Sequence, residues 1–241
     1  MANSLPNGVG DEFYEDVPTA GGGGGTGCSS VVPGISGLTR YWTLDEGSGT
    51  SAADSSGNSA TMTIIGGPTW VAGKIGAHAL QFTARSQYAT NLNSIANLTD
   101  FTFAAWVKPD DLAGSGGHNI VFSGVLQNMW LEILPNGHPN FHYYDNNDYT
   151  DTSTTIATGA WRHVAVTVDG ADGTTGTLKI YVDGSLTLTA TPTITQRTDC
   201  FAISTYGPGV GNYGFIGTID ELPVFNRALN STEVNSIATC N

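Results

Sequence analysis

Alternation with a period of two runs through three segments of this chain and leaves little room for a helical fold. In WRHVAVTVDG, Val164, Val166 and Val168 fall on one side of an extended backbone. In TLKIYVDG, Leu178, Ile180 and Val182 do the same. In FTFAAWVKPD, Phe101, Phe103, Ala105 and Val107 alternate with Thr102, Ala104, Trp106 and Lys108. Asp183-Gly184 reads as a primed turn, because glycine tolerates positive φ, and Leu186 and Leu188 continue the alternation beyond it. Trp130 to Leu134 and Asn140 to Tyr144 flank Pro135-Asn136-Gly137, a hairpin signal. Shorter strands are expected at Leu38 to Leu44, Ala79 to Phe82 and Tyr88 to Leu92. Strands at roughly 8–12-residue spacing predict an all-β, two-sheet antiparallel sandwich.

The two ends depart from this pattern. In FIGTIDELPVFNRALNSTEVNSI, from Phe215 to Ile237, a last strand contains Pro223, which cannot donate to a ladder and so belongs at an edge or a bulge. Asn230 and Glu233 then have capping-box spacing, and Leu229 and Val234 that of a hydrophobic staple, which predicts a short C-terminal helix. Residues 1–36 hold five consecutive glycines, Gly21 to Gly25, and read as an extended Gly-rich arm ahead of a sandwich over 37–241. Such an arm is ordered only if something holds it. Phe13 and Tyr14, set among Asp11, Glu12, Glu15 and Asp16, are the candidate anchors that would dock it on a neighbouring chain.

Charge narrows the partners. Eight Lys and Arg against 21 Asp and Glu leave a net charge of −13, which repels phosphate backbones and anionic membranes, so neither nucleic acid nor membrane is expected as a partner. No run approaches the ~18 apolar residues of a membrane span. The first residues lack the basic and apolar regions of a secretory signal, and Met1 reads as a genuine start. Cys28, Cys200 and Cys240 have no metal-ligand spacing; three reduced thiols are the preferred reading, with a Cys200–Cys240 link as the alternative.

GLTRYWTLDEGSGTSAADSSGN, GGPTWVAGKIGAHALQF, FTFAAWVKPD, WRHVAVTVDG, TLKIYVDG and GTIDELPVFNRAL follow one another in an order that resembles the LamG-like jelly rolls of the concanavalin A-like lectin/glucanase superfamily. The resemblance covers about residues 37–239. It implies a jelly-roll sandwich and, for function, a non-catalytic module of a secreted, cell-surface or phage protein that binds glycans or proteins or builds structure. Pro223 departs from the family pattern, and residues 114–158 are idiosyncratic, which marks them as ground for ligand contact.

Two sites are candidates. Asp54, with the Gly57 or Asn58 carbonyl and with Asp220 from the last strand, would supply the clustered oxygens of a structural calcium ion, Asp45 being a weaker fifth. The competing reading makes Asp54 an Asx-turn and Asp220 a hydrogen-bonded buried carboxylate. The second site is a glycan surface of Trp130, Glu132, His142, Tyr144 and Tyr149, with Trp130 and Glu132 on one strand face and His142 and Tyr144 on another. Its competitor is that half of these rings pack inside. No strand carries an alternating acidic pair, and Asp220 and Glu221 are adjacent and face opposite ways, so no catalytic residue is expected. His138 and His142 sit in a turn and a strand, where a shared zinc does not fit.

A sandwich of a type found outside cells, no secretion signal and an arm that must be held together point to a phage virion protein. A capsid decoration, head-fibre or tail-fibre role fits, with capsid or tail proteins as partners through the arm, a cyclic homo-oligomer and adhesion to a cell-surface glycan. The alternative is a bacterial extracellular carbohydrate-binding module, and a third reading is a glycan-degrading enzyme acting through Glu132.

Overall fold

The computed structural model describes residues 27–113, 118–124, 129–144, 147–206 and 213–240. In chain order, a helix α1 (Cys28–Gly34) is followed by β1 (Leu38–Trp42), β2 (Ser51–Ala52), β3 (Met62–Ile65), β4 (Thr69–Ala72), β5 (His78–Phe82) and β6 (Tyr88–Leu98). Next come β7 (Phe101–Asp111), β8 (Ile120–Gly124), β9 (Met129–Ile133), β10 (Pro139–His142) and β11 (Asp148–Thr150). The chain ends with β12 (Arg162–Asp169), β13 (Thr177–Val182), β14 (Ser185–Ala190), β15 (Arg197–Ile203), β16 (Ile216–Asp220), β17 (Leu222–Phe225) and α2 (Ser231–Thr239). Among the described residues the strands make a nine-stranded sheet, β14-β13-β12-β7-β16-β5-β4 with β17 joining β1 to β7, and an eight-stranded sheet, β11-β10-β9-β8-β15-β6-β3-β2. This is the antiparallel sandwich that the alternation predicts.

The main core lies between the sheets. Phe101, Phe103, Ala105 and Val107 of β7, Val164, Val166 and Val168 of β12, and Leu178 and Ile180 of β13 face Met129, Leu131 and Ile133 of β9, Phe141 of β10 and Phe201 and Ile203 of β15. Phe201 bridges the layers, 5.4 Å from Phe103 and 5.2 Å from Phe122 between ring centroids. The opposite residues of the nine-stranded sheet are buried too. Ala104, Trp106, Ala165 and Tyr181 meet Val32 of α1 and Leu229, Val234 and Ile237 at α2 in a second apolar cluster.

The local signals at the C-terminal end hold. Asn230 accepts from Glu233 N at 3.0 Å, and Glu233 Oε2 accepts from Asn230 N at 2.9 Å, so two orphan donors are satisfied reciprocally. Asp183 and Gly184 both have positive φ, 49° and 76°, as a type I′ turn demands. Pro223 lies at a bulge: Asp220 pairs with Trp106 and Val224 with Phe103, so three residues oppose two on β7 and the missing N–H falls in the interruption. One alternation breaks. A register shift between Ile180 and Tyr181 turns Leu186 outward, 49% exposed, while Leu188 stays against the core.

The cysteine expectation is corrected in both its forms. Cys28 and Cys240 form a disulfide, with Cα atoms 5.0 Å apart, and join α1 to the end of α2. Cys200 lies outside it, buried in β15. Cys200 belongs to the eight-stranded layer and Cys240 to the helix layer beyond the other sheet, so about a sheet spacing of 10 Å or more separates them. Residues 27–36, read from sequence as part of the arm, therefore sit on the chain's own body. Phe13, Tyr14 and the run Gly21 to Gly25 lie outside the described residues.

The disulfide closes a loop with a sequence separation of 212. Cys28→Ser, or reduction of the native protein, is expected to lower the unfolding free energy by about 2–5 kcal/mol. Urea titration with and without reductant measures it, and the reductant should have no further effect on the Cys28→Ser variant.

Candidate functional site

Helices cover the outer face of the nine-stranded sheet, whereas the outer face of the eight-stranded sheet carries a polar and aromatic array. On β9 the residues Met129, Leu131 and Ile133 point inward, so Trp130 and Glu132 point out. The hairpin register sets His142 opposite Trp130 and Asn140 opposite Glu132, and the next pairing sets Asp148 opposite His142 and Thr150 opposite Asn140. Two rows thus cross three strands, Trp130–His142–Asp148 and Glu132–Asn140–Thr150.

Both rows are bonded along their length. The rings of Trp130 and His142 stack at 3.8 Å with 10° between planes, and His142 Nδ1 meets Asp148 Oδ1 at 2.9 Å. Thr150 donates to Asn140 Oδ1 at 2.8 Å, and Asn140 Nδ2 donates to Glu132 Oε1 at 2.9 Å and Asp148 Oδ1 at 3.1 Å. Glu132 also accepts from Trp130 Nε1 at 3.1 Å and meets His118 Nδ1 at 2.7 Å. Its carboxylate is 1% exposed, so it lies beneath the surface as the hub that orients Trp130, His118 and Asn140. Burial works against ionisation of Asp148, but hydrogen bonds from His142 and Asn140 more than offset it and hold the carboxyl below its ordinary value.

Above this hub opens a cavity of about 380 Å³ lined by His118, Ile120, Trp130, Tyr206 and Tyr213. Its rings stand edge to face. Tyr206 is 5.1 Å from Trp130, and His118 is 5.5 Å from Tyr213 and 6.2 Å from Trp130. Arg85 braces the wall from behind, donating to Asn119 Oδ1 at 2.9 Å and Gly214 O at 2.8 Å and pairing with Asp111 at 3.3 Å. A box of aromatic faces and edges with a few polar atoms suits a ring-shaped, hydroxylated ligand.

Of the glycan residues expected from sequence, Trp130, Glu132 and His142 come together here. Tyr144 and Tyr149 do not. β10 ends at His142, so the alternation that would have kept Tyr144 beside it stops, and Tyr144 is buried in the main core. Tyr149, opposite the inward Phe141, packs against that core as well. The register stacks the His142 ring on the Trp130 ring of the neighbouring strand. His118, Asn140, Asp148, Tyr206 and Tyr213 were missed. Asn140 and Asp148 follow from the hairpin register, while His118 and Tyr213 meet across 95 residues of chain with no local signal.

The carboxylates expected to bind a cation are each engaged by nearby donors, and Asp45 lies within electrostatic reach of Asp220. Asp54 Oδ1 accepts from Tyr41 N and Ser56 N, each at 2.9 Å, and its Oδ2 accepts from Ser56 Oγ at 2.9 Å and Ala60 N at 3.0 Å, an Asx-turn that closes the Gly57 loop. Asn58 Nδ2 donates to Thr39 O at 3.0 Å. Asp220 accepts from Lys74 N at 2.8 Å, Ile75 N at 3.1 Å and Glu221 N at 3.0 Å, and Asp45 accepts from Ala77 N and His78 N. Among the described residues no group of three or more His, Cys, Asp or Glu is gathered in one place. His138 bonds Thr154 O and His142 bonds Asp148, so the two histidines have separate partners.

The family model for the concanavalin A-like lectin/glucanases superfamily matches residues 82–235. No curated protein matches the chain. Among solved structures, domain 4 of AbnA, an extracellular GH43 arabinanase from Geobacillus stearothermophilus in complex with arabinotriose, is 25% identical with a TM-score of 0.66, over 84% of this chain and 98% of that one. The binding domain of Paraclostridial Mosquitocidal Protein 1 is 16% identical with a TM-score of 0.63, over 84% and 52%. The ligand binding domain of botulinum neurotoxin serotype D, in complex with N-acetylneuraminic acid, is 14% identical with a TM-score of 0.64, over 88% and 52%. The chain thus spans nearly all of the arabinanase domain and about half of each toxin domain.

Asp220 and Glu221 give the fold a pH dependence. Both are buried at the bulge, and Tyr41 donates its hydroxyl to Glu221. Burial raises Asp220 to about 7 and Glu221 to about 8. The native state therefore holds protons that the unfolded chain has released, and the stability they contribute is lost as pH rises through these values. Burial lowers His163 to about 3, which makes its contribution constant above the ordinary value of 6.5. Between pH 6.5 and 9 the melting temperature is expected to fall, and Glu221→Gln, which resembles the protonated acid, to flatten part of that fall. Differential scanning calorimetry across the window checks the sign.

Proposed function

Because the chain belongs to the concanavalin A-like lectin/glucanases superfamily, we propose that it is a carbohydrate-binding module that acts outside the cell and performs no catalysis. The observation that carries this reading is the box of Trp130, His118, Tyr206 and Tyr213 on the sheet face that the helices leave uncovered. Aromatic faces take the apolar side of a sugar ring, and amide, carboxylate and imidazole groups take its hydroxyls. The arabinotriose bound to the arabinanase domain supports a glycan as the ligand. The Cys28–Cys240 disulfide supports an oxidising, extracellular setting, since such bonds persist where thiols are not kept reduced.

Binding is favoured over hydrolysis by the state of the two carboxylates on this face. Asn140 touches both Glu132 and Asp148, but Glu132 is buried and committed to Trp130, Asn140 and His118. An acid that must reach a glycosidic oxygen needs an accessible oxygen. The virion reading rested on a fold type found outside cells, the lack of a secretion signal and an arm held by a companion molecule, whose anchors Phe13 and Tyr14 lie outside the described residues. The described end of that stretch is instead fastened to the chain's own C-terminal helix, which favours the extracellular module.

Glycan-array screening followed by calorimetry tests the proposal. Trp130→Ala is expected to cost about 2 kcal/mol of binding, roughly thirtyfold in Kd, with the fold retained by circular dichroism. Turnover of a bound polysaccharide by the native protein, abolished in Glu132→Gln, would overturn the non-catalytic assignment.

A further inference from the structure

The charge around the cavity points to one class of sugar. The side chains that crown Glu132 and Asp148 are histidines, His118 at 2.7 Å from Glu132 and His142 at 2.9 Å from Asp148. Each His–carboxylate pair sums to zero or to one negative charge, and becomes positive only when both members are protonated. A ligand carboxylate placed here meets acceptors already facing the same donors.

Among the described side chains, none near the cavity supplies a free compensating Lys or Arg. The stretches 1–26, 114–117, 125–128, 145–146, 207–212 and residue 241 contain no Lys or Arg, and seven of the eight cationic residues have described side chains, Arg197 being placed by its backbone alone. Arg85 is the one bonded to the cavity wall, and its guanidinium is spent on Asn119, Gly214 and Asp111 with the side chain 13% exposed. Lys74 lies over Trp106, Lys108 over Trp161, Arg162 pairs with Asp183 and Arg227 with Glu233, all on the nine-stranded sheet or its helix. Arg40 in β1 and Lys179 in β13 belong to that sheet as well. The backbone of Arg197 starts β15, six residues before Ile203. The net charge of −13 adds long-range repulsion of anions.

We propose that, granted the carbohydrate-binding function above, the cavity selects uncharged sugar residues and rejects sialic and uronic acids. A neutral ring packs against the Trp130 and Tyr206 rings, meets the outer edge of His118 with its hydroxyls and asks for no counter-charge. An acidic sugar must desolvate a carboxylate above the buried Glu132, with no free guanidinium among the described side chains to receive it.

The test uses the native chain and matched pairs of probes, lactose against 3′-sialyllactose and xylotriose or arabinotriose against trigalacturonic acid, by calorimetry or ligand-observed NMR at low and high salt. In the pair that binds, the neutral member is expected to bind at least tenfold more tightly, with an affinity insensitive to salt, while the gap narrows as salt rises. Tyr213→Arg sets a guanidinium at the half-open rim and is expected to shrink the gap below threefold; an unchanged gap would overturn charge as its cause. Equal or tighter binding of the acidic member overturns the selectivity and leaves the carbohydrate reading standing. No binding by any probe or by a full glycan array overturns both.

Discussion

The central strands of the nine-stranded sheet, β7 and β12, bury both of their faces, and the rest of the molecule is arranged around that requirement. One face meets the eight-stranded sheet through Phe101, Phe103 and the valines of β12. The other, with Trp106, Ala165 and Tyr181, would be a large exposed apolar patch without α1 and α2 over it. A seven-residue helix such as α1 has too few turns to be stable alone. The bond from Cys28 to Cys240 holds it against a helix that has its own capping box and staple. Cover on that side leaves the outer face of the eight-stranded sheet as the open one, and it is there that polar and aromatic residues gather.

That open face is organised by a carboxylate that solvent does not reach. Glu132 is charged or strongly polar, sits on a strand whose alternate residues are core, and is 1% exposed because Trp130, His118 and Asn140 close over it. A buried acceptor is tolerated only when its lone pairs are used, and three donors use them. The cost of burying the group is offset by rings held in fixed orientations. A binding surface gains from this, because side chains that are already ordered lose little freedom when a ligand arrives. The second buried acidic group, Asp220 with Glu221, solves the same problem differently. There the carboxyls are pushed toward the protonated form, and backbone donors and the Tyr41 hydroxyl satisfy what remains.

Much of the scaffold was legible in the chain. The alternation in β7, β12 and β13, the Asp183-Gly184 turn, the bulge at Pro223 and the Asn230–Glu233 cap all rest on neighbours within a few residues, where backbone sterics and side-chain period decide the outcome. The site was legible in part. Trp130, Glu132 and His142 stood out as a dense polar and aromatic group, but the fate of Tyr144 and Tyr149 turned on where β10 stops and which way β11 faces. The disulfide was misread because two cysteines separated by most of the chain can be judged only once the layers are known.

By itself the amino-acid order determined a two-layered antiparallel β architecture, a capped terminal helix and a strongly acidic surface, since period, turn chemistry and charge are local or additive properties. The tertiary arrangement decided which outer face is sealed and which is open, which cysteine meets Cys28, and which rings surround the cavity. Those outcomes depend on contacts between residues far apart in the chain, such as His118 with Tyr213 and Cys28 with Cys240, and no local pattern encodes the register that brings them together.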